Sequence, residues 1–225
     1  MLSHLHTFIH MLSIGFIALF PVVNPIGSAF IITPYFNGLT RNEQKIAVKK
    51  ITVYAFFICL VSLFAGRWIL EFFGISVPVI QLAGGMVICK FGWQYLFADR
   101  KEVKKPDEDP GKNLVSDGYR NLEGKLFYPI TFPVTTGAGT IAVLFTLSAH
   151  SENANVTTYL VNTAAILLSI IIICLLIYIF YMKTERIINL LGSNGETIVT
   201  RLTAFLIFCV GLQIAVTGIR NLVKG

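Results

Sequence analysis

The sequence is poor in charged residues and has no acidic residue inside its apolar runs. Lys, Arg, Asp and Glu make up 13% of the 225 residues, whereas soluble domains carry about 25%. Hydrophobic residues account for 55% of the chain. This composition excludes a typical soluble domain and predicts an all-α protein that lies in a lipid bilayer. Because Glu71 and Glu196 lie only at the ends of runs, an acidic proton relay is not expected.

Motifs of catalysis and metal binding are also missing. The chain has no His-Glu-x-x-His or Gly-x-Gly-Asp motif and no Ser/His arrangement, so we expect no enzyme, no catalytic residue and no cofactor. The cysteines lie singly in apolar runs, which indicates buried hydrophobic residues; they are Cys59, Cys89, Cys174 and Cys209. The N-terminal histidines have no carboxylate or thiol nearby, so no metal site is expected; they are His4, His6 and His10.

Six apolar runs reach the roughly 20 residues that a membrane-spanning helix needs. They are Phe8–Phe36, Ile51–Phe73, Ile75–Phe97, Leu126–Ala149, Thr158–Met182 and Thr197–Leu222. The first run is too long for one straight span and contains two prolines, so we expect it to break or bend. The runs divide the chain into a first three-helix repeat (1–98), a hydrophilic linker (99–125) and a second three-helix repeat (126–225).

The distribution of basic residues predicts the orientation in the membrane. Of the 18 Lys and Arg residues, fourteen fall after the first run, in the linker and around the junction of the fifth and sixth runs. Only Arg67, Arg220 and Lys224 fall on the opposite side. The positive-inside rule then places the linker in the cytoplasm and both termini outside. A lipid bilayer, rather than nucleic acid, therefore explains the net charge of +6.

Two internal matches relate the halves of the chain. Phe20-Pro21-Val22 precedes Gly27 with the same spacing as Phe132-Pro133-Val134 precedes Gly139, and Gln81–Cys89 aligns without gaps to Arg201–Cys209. Each half holds three predicted spans, so the second half must enter the membrane from the opposite side. This arrangement is an inverted repeat, which many secondary transporters share.

The first and fourth runs contain helix-breaking residues at equivalent places, which predicts two breaks near the bilayer midplane. A helix that restarts after a break directs its positive dipole end toward the break, so polar groups there could bind a carboxylate or another polar solute. The predicted substrate-binding residues are Asn24, Pro25, Gly27, Ser28, Thr135, Thr136, Gly137, Gly139 and Thr140. The alternative is two kinked helices that pack closely through small residues and bind nothing.

Lys90 is the one basic residue well inside a predicted span, seven residues before its end. An intramembrane charge is a candidate for function, which makes Lys90 an accessory candidate. The alternative is that its long side chain reaches the interface, since seven helical residues span only about 10 Å.

At these residues the chain resembles the MarC family of inner-membrane proteins. Members carry Asn-Pro-x-Gly in the first span, here Asn24 to Gly27, and Pro-x-x-x-Gly-Pro-Gly in the fourth, here Pro133 to Gly139. Ala138 stands where the family usually has proline, which predicts a less sharp second break. The likeness covers nearly the whole chain except the linker.

The resemblance implies a six-span fold related to the LysE-type exporters and a location in the bacterial inner membrane. It also implies transport of a small polar solute, with neutral amino acids as the family's label. A non-transporting scaffold or regulatory protein is the alternative. The link to antibiotic resistance that the family's name suggests is not carried over, and the sequence leaves the oligomeric state open.

Overall fold

The computed structural model describes residues 2–36, 38–97, 122–151 and 155–224, and these are almost entirely helical. The helices are α1 (Leu2–Val23), α2 (Pro25–Phe36), α3 (Arg41–Phe73), α4 (Val77–Phe97), α5 (Leu126–Thr135), α6 (Ala138–Ser151), α7 (Val156–Met182) and α8 (Thr184–Lys224). No β-strand occurs in the described part of the chain, so the predicted all-α class is confirmed. Most of the predicted linker, 99–121, lies outside the described residues.

The first predicted break lies at Asn24, between α1 and α2. Asn24 has a φ of +46°, a left-handed conformation that asparagine tolerates better than most residues. Pro25 has no amide proton, so the usual helical bond to the carbonyl of Pro21 is absent. The amide of Asn24 still donates to the carbonyl of Phe20 (2.8 Å), and the amide of Ser28 donates to Asn24 (2.9 Å). These bonds keep α1 and α2 together as one continuous stretch.

The second break, between α5 and α6, is the sharper one, with a bend of 60°. The prediction that Ala138 makes this break less sharp than a proline would stays a prediction. The bend arises upstream, where α5 forms wide turns in which the amide of Thr136 donates to Thr131 (2.8 Å). Gly137 is needed here because an added Cβ would lie 2.8 Å from the carbonyl oxygen of Pro133. Pro133 and Gly137 therefore turn the chain, although position 138 is not a proline.

Helix α3 begins ten residues before the second predicted span, so the basic segment 41–50 is helical and not a loop. The reason is a capping box at its start. The hydroxyl of Thr40 accepts the amide of Glu43 (3.3 Å), and the Glu43 carboxylate accepts the amide of Thr40 (2.8 Å). The two residues satisfy each other's backbone donors and allow the helix to start in a polar segment. Lys50, near the end of this segment, pairs with Glu123.

Helices α7 and α8 are separated by Lys183 alone. The sixth predicted run begins at Thr197, yet α8 already begins at Thr184. The hydroxyl of Thr184 donates to the carbonyl of Phe180 (2.8 Å), in the last turn of α7. The polar residues after Thr184 belong to α8, because the hydrogen bonds of a helix join backbone groups and do not require apolar side chains. Apolarity alone could not reveal this extension.

Four helical stretches are long and apolar enough to cross a membrane among the described residues. They are His4–Thr33, Arg41–Gly66, Val156–Met182 and Ala204–Val223. The bent pair α5 and α6 makes a fifth if it is counted as one span. Helix α4 is not among them, since Gln81, Lys90 and Gln94 lower its hydropathy. The chain is thus a multi-helix membrane protein, and six spans remain a prediction.

Helices α4 and α8 form the most extensive helix pair and pack through glycine. An added Cβ at Gly85 would lie 2.6 Å from the carbonyl oxygen of Gly211, and one at Gly218 would lie 2.7 Å from the amide nitrogen of Leu82. The two backbones therefore approach closely, as small residues permit in membranes. The contacts run in opposite directions along the two helices, so the pair is antiparallel.

Candidate functional site

The two breaks meet at one cavity, although they lie far apart in the sequence. Its volume is about 60 Å³, whereas ligand pockets usually measure roughly 300–1,000 Å³. It is lined by Val22, Val23, Asn24, Ser28, Ile31, Val87, Ile88, Pro133, Val134, Gly137, Ala138, Gly139, Thr140 and Ile207. Helices α1 and α2 thus contribute one side, α5 and α6 the other, and α4 and α8 close it. In this conformation the space would hold only a few water molecules.

Asn24 and Ser28 supply the polar groups of the first break. The amide oxygen of Asn24 accepts the backbone amide of Gly27 (3.1 Å), so Asn24 caps the start of α2. Ser28 is 2% exposed, and its hydroxyl donates to the carbonyl of Asn24 (2.8 Å). Both side chains therefore hold the local backbone in shape while they line the cavity.

Thr140 supplies the polar side chain of the second break and differs from the first two. Its side chain is 0% exposed, and its hydroxyl has no hydrogen-bond partner. A buried hydroxyl without a partner costs free energy, so such groups are rare in folded proteins. Thr140 belongs to the wall of the cavity, so a ligand that widens the cavity could reach this hydroxyl and supply the missing partner.

The remaining predicted residues support the breaks without lining the cavity. The hydroxyl of Thr135 donates to the carbonyl of Ile130 (2.8 Å), and that of Thr136 donates to Thr131 (3.2 Å). Pro25 and Gly27 belong to the first turn of α2 but do not line the space. Of the nine predicted residues, the structure gathers Asn24, Ser28, Gly137, Gly139 and Thr140 around one cavity.

Lys90, the accessory candidate, lies apart from the cavity. It is exposed on α4 and does not line the cavity. Neighbouring exposed residues on α4 are Met86 and Trp93, at 56% each. Lys90 therefore lies on an outward face, where a long stem can carry its charge toward the interface.

Tyr181, near the end of α7, is bonded to the second break and was missed by sequence reasoning. It is 0% exposed, and its hydroxyl lies 2.8 Å from Oγ1 of Thr135. Nothing in the sequence marks this tyrosine, since it lies near the end of a long apolar run and meets the second break only through folding.

Hydrophobic side chains close the cavity where α1, α4 and α6 meet. An added Cβ at Gly139 would collide with the side chain of Ile88 and would lie 3.0 Å from Cγ1 of Val22. Gly139 thus allows both side chains to pack against the start of α6. None of the described lining residues carries a charge.

A larger groove of about 310 Å³ lies between α1, α4, α6 and α8, but its polar groups bind one another. The side-chain amide of Gln81 donates to the hydroxyl of Thr146 (3.2 Å), and that of Asn221 donates to Gln81 (3.2 Å). Its other lining residues are mainly hydrophobic. The cavity at the breaks, with its unpartnered hydroxyl, is the better candidate for a polar ligand. No group of three or more His, Cys, Asp or Glu in the described ranges could hold a metal ion.

Comparison with known proteins identifies the family. The model of the MarC family integral membrane proteins matches residues 9–223. The protein named UPF0056 inner membrane protein MarC from Escherichia coli O157:H7 is 27% identical over 217 residues, which cover 95% of this chain and 96% of the relative. The protein of the same name from Shigella flexneri is 26% identical over the same shares. No solved structure matches the chain. With a family match over most of its length, relatives named as inner-membrane proteins and several apolar helices, the chain belongs to the MarC family and is a multi-pass inner-membrane protein.

Proposed function

We propose that the protein transports a small polar solute across the inner membrane and binds it between the two helix breaks. The observation that carries the proposal is the single cavity to which both breaks contribute. Broken helices that meet at a binding site are typical of secondary transporters. Neutral amino acids, which the family resemblance implies, are the first solutes to test.

The small volume of the cavity supports a contracted state of such a transporter. At about 60 Å³ it is too small for a typical ligand pocket. A carrier that binds its solute here must widen the site to admit it. Separation of α1 from α6 around the packed Val22, Ile88 and Gly139 would enlarge the space.

The proposal includes six spans in two inverted halves. Helix α6 packs against α4 as α2 packs against α8, and α5 packs against α3 as α1 packs against α7. These are the pairs of contacts that two related halves would produce. Helix α4, although less apolar, is covered by α8 along the glycine contacts, which would shield its backbone in a membrane.

Contacts between helix ends support the proposed even number of spans. Gln81, Thr146 and Asn221 are bonded together and belong to ends that six spans place on one side. Lys50 and Glu123, which form an ion pair, belong to ends that six spans place on the other side. The proposed orientation, with both termini outside, rests on the distribution of basic residues.

The direct test is flux in liposomes that contain the purified protein and a panel of radiolabelled neutral amino acids. Asn24→Ala should reduce flux at least about tenfold, because it removes a side chain of the cavity and the cap of α2. Asn24→Gly also removes the side chain, but glycine tolerates both the positive φ and the cap position, so reduced flux by this variant reports loss of the site and not loss of folding. Asn42→Ala, on the exposed start of α3, is the control and should leave flux unchanged.

Two results would contradict the proposal. Flux of no solute by well-folded protein would favour a scaffold or regulatory role. Flux by Asn24→Ala at the wild-type rate would show that the solute does not bind in this cavity.

A further inference from the structure

The start of α2 has little capacity left to bind an anion. Its first residue, Pro25, has no amide proton. The amide of Gly27 already donates to the side chain of Asn24 (3.1 Å), and that of Ser28 donates to the Asn24 carbonyl (2.9 Å). Only the amide of Ile26 remains in the first turn. The positive end of α2 is therefore satisfied from within the chain.

The start of α6 keeps its donors. The first bond within the helix is from the amide of Ile141 to the carbonyl of Gly137 (3.3 Å). The three amides before it, at 138, 139 and 140, have no partner within the helix. Gly137 has no side chain that could cap them, and all three residues line the cavity. This end of α6 carries both the donors and the positive end of the helix dipole.

The hydroxyl of Thr140 adds a donor at the same place. It is buried, has no partner and belongs to a residue of the cavity wall. Helix amides and a hydroxyl that converge in this way are the groups that bind carboxylates and phosphates. No described lining residue supplies an opposing negative charge.

We infer that the cavity binds a small carboxylate, whose anionic group lies at the start of α6 and accepts a hydrogen bond from Thr140. The break before α2 does not bind the anionic group. The inference rests on the proposed transport site and narrows its solute to a carboxylate. The hydrophobic side chains Val22, Ile31 and Ile88 face the rest of the space, so they suit a short apolar tail. The two halves of the chain thus have different roles in binding.

Thermal unfolding of the full-length protein in detergent tests this inference. Sodium propionate should raise the unfolding temperature in a saturable way, compared with sodium chloride at equal ionic strength, because a ligand of the folded state stabilises it. Propionamide has nearly the same shape without the charge, and it should give a much smaller shift. Equal shifts by the two compounds, or no shift with propionate, would overturn the inference.

Variants at position 140 assign the donor. Thr140→Val keeps the shape but removes the hydroxyl, so apparent affinity for propionate should fall about tenfold, as expected for a bond to a charged group. Without ligand, this variant should unfold at the same or a higher temperature, since an unpartnered hydroxyl has been removed. Thr140→Ser should restore affinity to within about threefold of the wild type. A Thr140→Val protein that binds propionate as the wild type does would exclude this role for Thr140.

Thr52→Val is the matched control. The hydroxyl of Thr52 donates to the carbonyl of Val48 within α3 (2.8 Å), and Thr52 does not line the cavity, so propionate affinity should not change. Binding in detergent needs no flux, and the two proposals can therefore fail separately. If the liposomes show no solute flux, the transport proposal is contradicted, but propionate binding is not. If amino acids are transported but propionate does not raise the unfolding temperature, only this inference is contradicted.

Discussion

The hydroxyl of Tyr181 lies 2.8 Å from Oγ1 of Thr135, and this contact joins the end of α7 to the end of α5. One buried side chain thus ties α7 to the second break. Any movement of α5 relative to α7 must break or rearrange this bond.

Tyr181→Phe should lower the free energy of unfolding by about 0.5 to 1 kcal/mol, the value of one hydrogen bond in a membrane protein. The effect is modest because the hydroxyl of Thr135 keeps its bond to the carbonyl of Ile130. Unfolding in mixed micelles with increasing sodium dodecyl sulfate measures the change. Tyr178→Phe, on the same helix, is the control with a smaller expected effect. Equal stability of Tyr181→Phe and wild type would contradict the importance of the contact.

Gly139→Ala should destabilise the protein by about 1–3 kcal/mol, the usual cost of an extra methyl group in a packed interior. The added Cβ would collide with Ile88 and press on Val22, and it would also reduce the cavity. The same unfolding experiment measures the loss. Gly124→Ala is the matched control, because nothing lies within 4 Å of its added Cβ. A Gly139→Ala variant as stable as Gly124→Ala would show that α1 and α4 do not pack as described.

Thr40→Ala should destabilise the start of α3 by about 1 kcal/mol, because it removes one half of the capping box. Hydrogen exchange of the amides at 41–44, followed by mass spectrometry, should become faster while that of the middle of α3 stays unchanged. Thr40→Ser retains the hydroxyl and should exchange as the wild type does. Faster exchange along all of α3 would instead indicate a general loss of folding.

The proposed orientation predicts the signals of reporter fusions. Alkaline phosphatase fused after Gly225 should be active, since this enzyme folds only outside the cytoplasm. Green fluorescent protein at the same position should be dark, and it should fluoresce when inserted into the central linker after Lys112. A fluorescent fusion after Gly225 would place the C-terminus in the cytoplasm and require an odd number of spans or the opposite orientation.

The positions of the breaks could be predicted from the sequence, whereas their sharpness could not. Pro25 and Gly137 interrupt helices for local reasons, namely a missing amide proton and a missing side chain. The 60° bend at the second break depends on wide turns through α5 and on the packing of Gly137 against Pro133. A motif comparison that considers only Ala138 therefore cannot give the angle of this break.

The starts of α3 and α8 show a second limit of sequence reasoning. Apolar runs locate the part of a helix that lipid can cover. The helix itself can continue into polar residues, because its backbone hydrogen bonds do not depend on apolar side chains. Thr40 and Glu43 signal the earlier start of α3 through their spacing. Thr184 gave no such signal, because its hydroxyl bonds back to α7.

The sequence by itself determined the helical class, the membrane environment and the family, because composition, apolar runs and the Asn-Pro-x-Gly and Gly-rich motifs are local properties of the chain. Only the tertiary structure decided which of the predicted site residues share a cavity. Thr135 and Thr136 lie within five residues of Thr140 in the sequence. Their hydroxyls donate to backbone carbonyls of α5, whereas that of Thr140 has no partner. The direction of a side chain depends on the turn of the backbone that carries it, and at α5 that turn is set by the prolines and by contacts with distant helices.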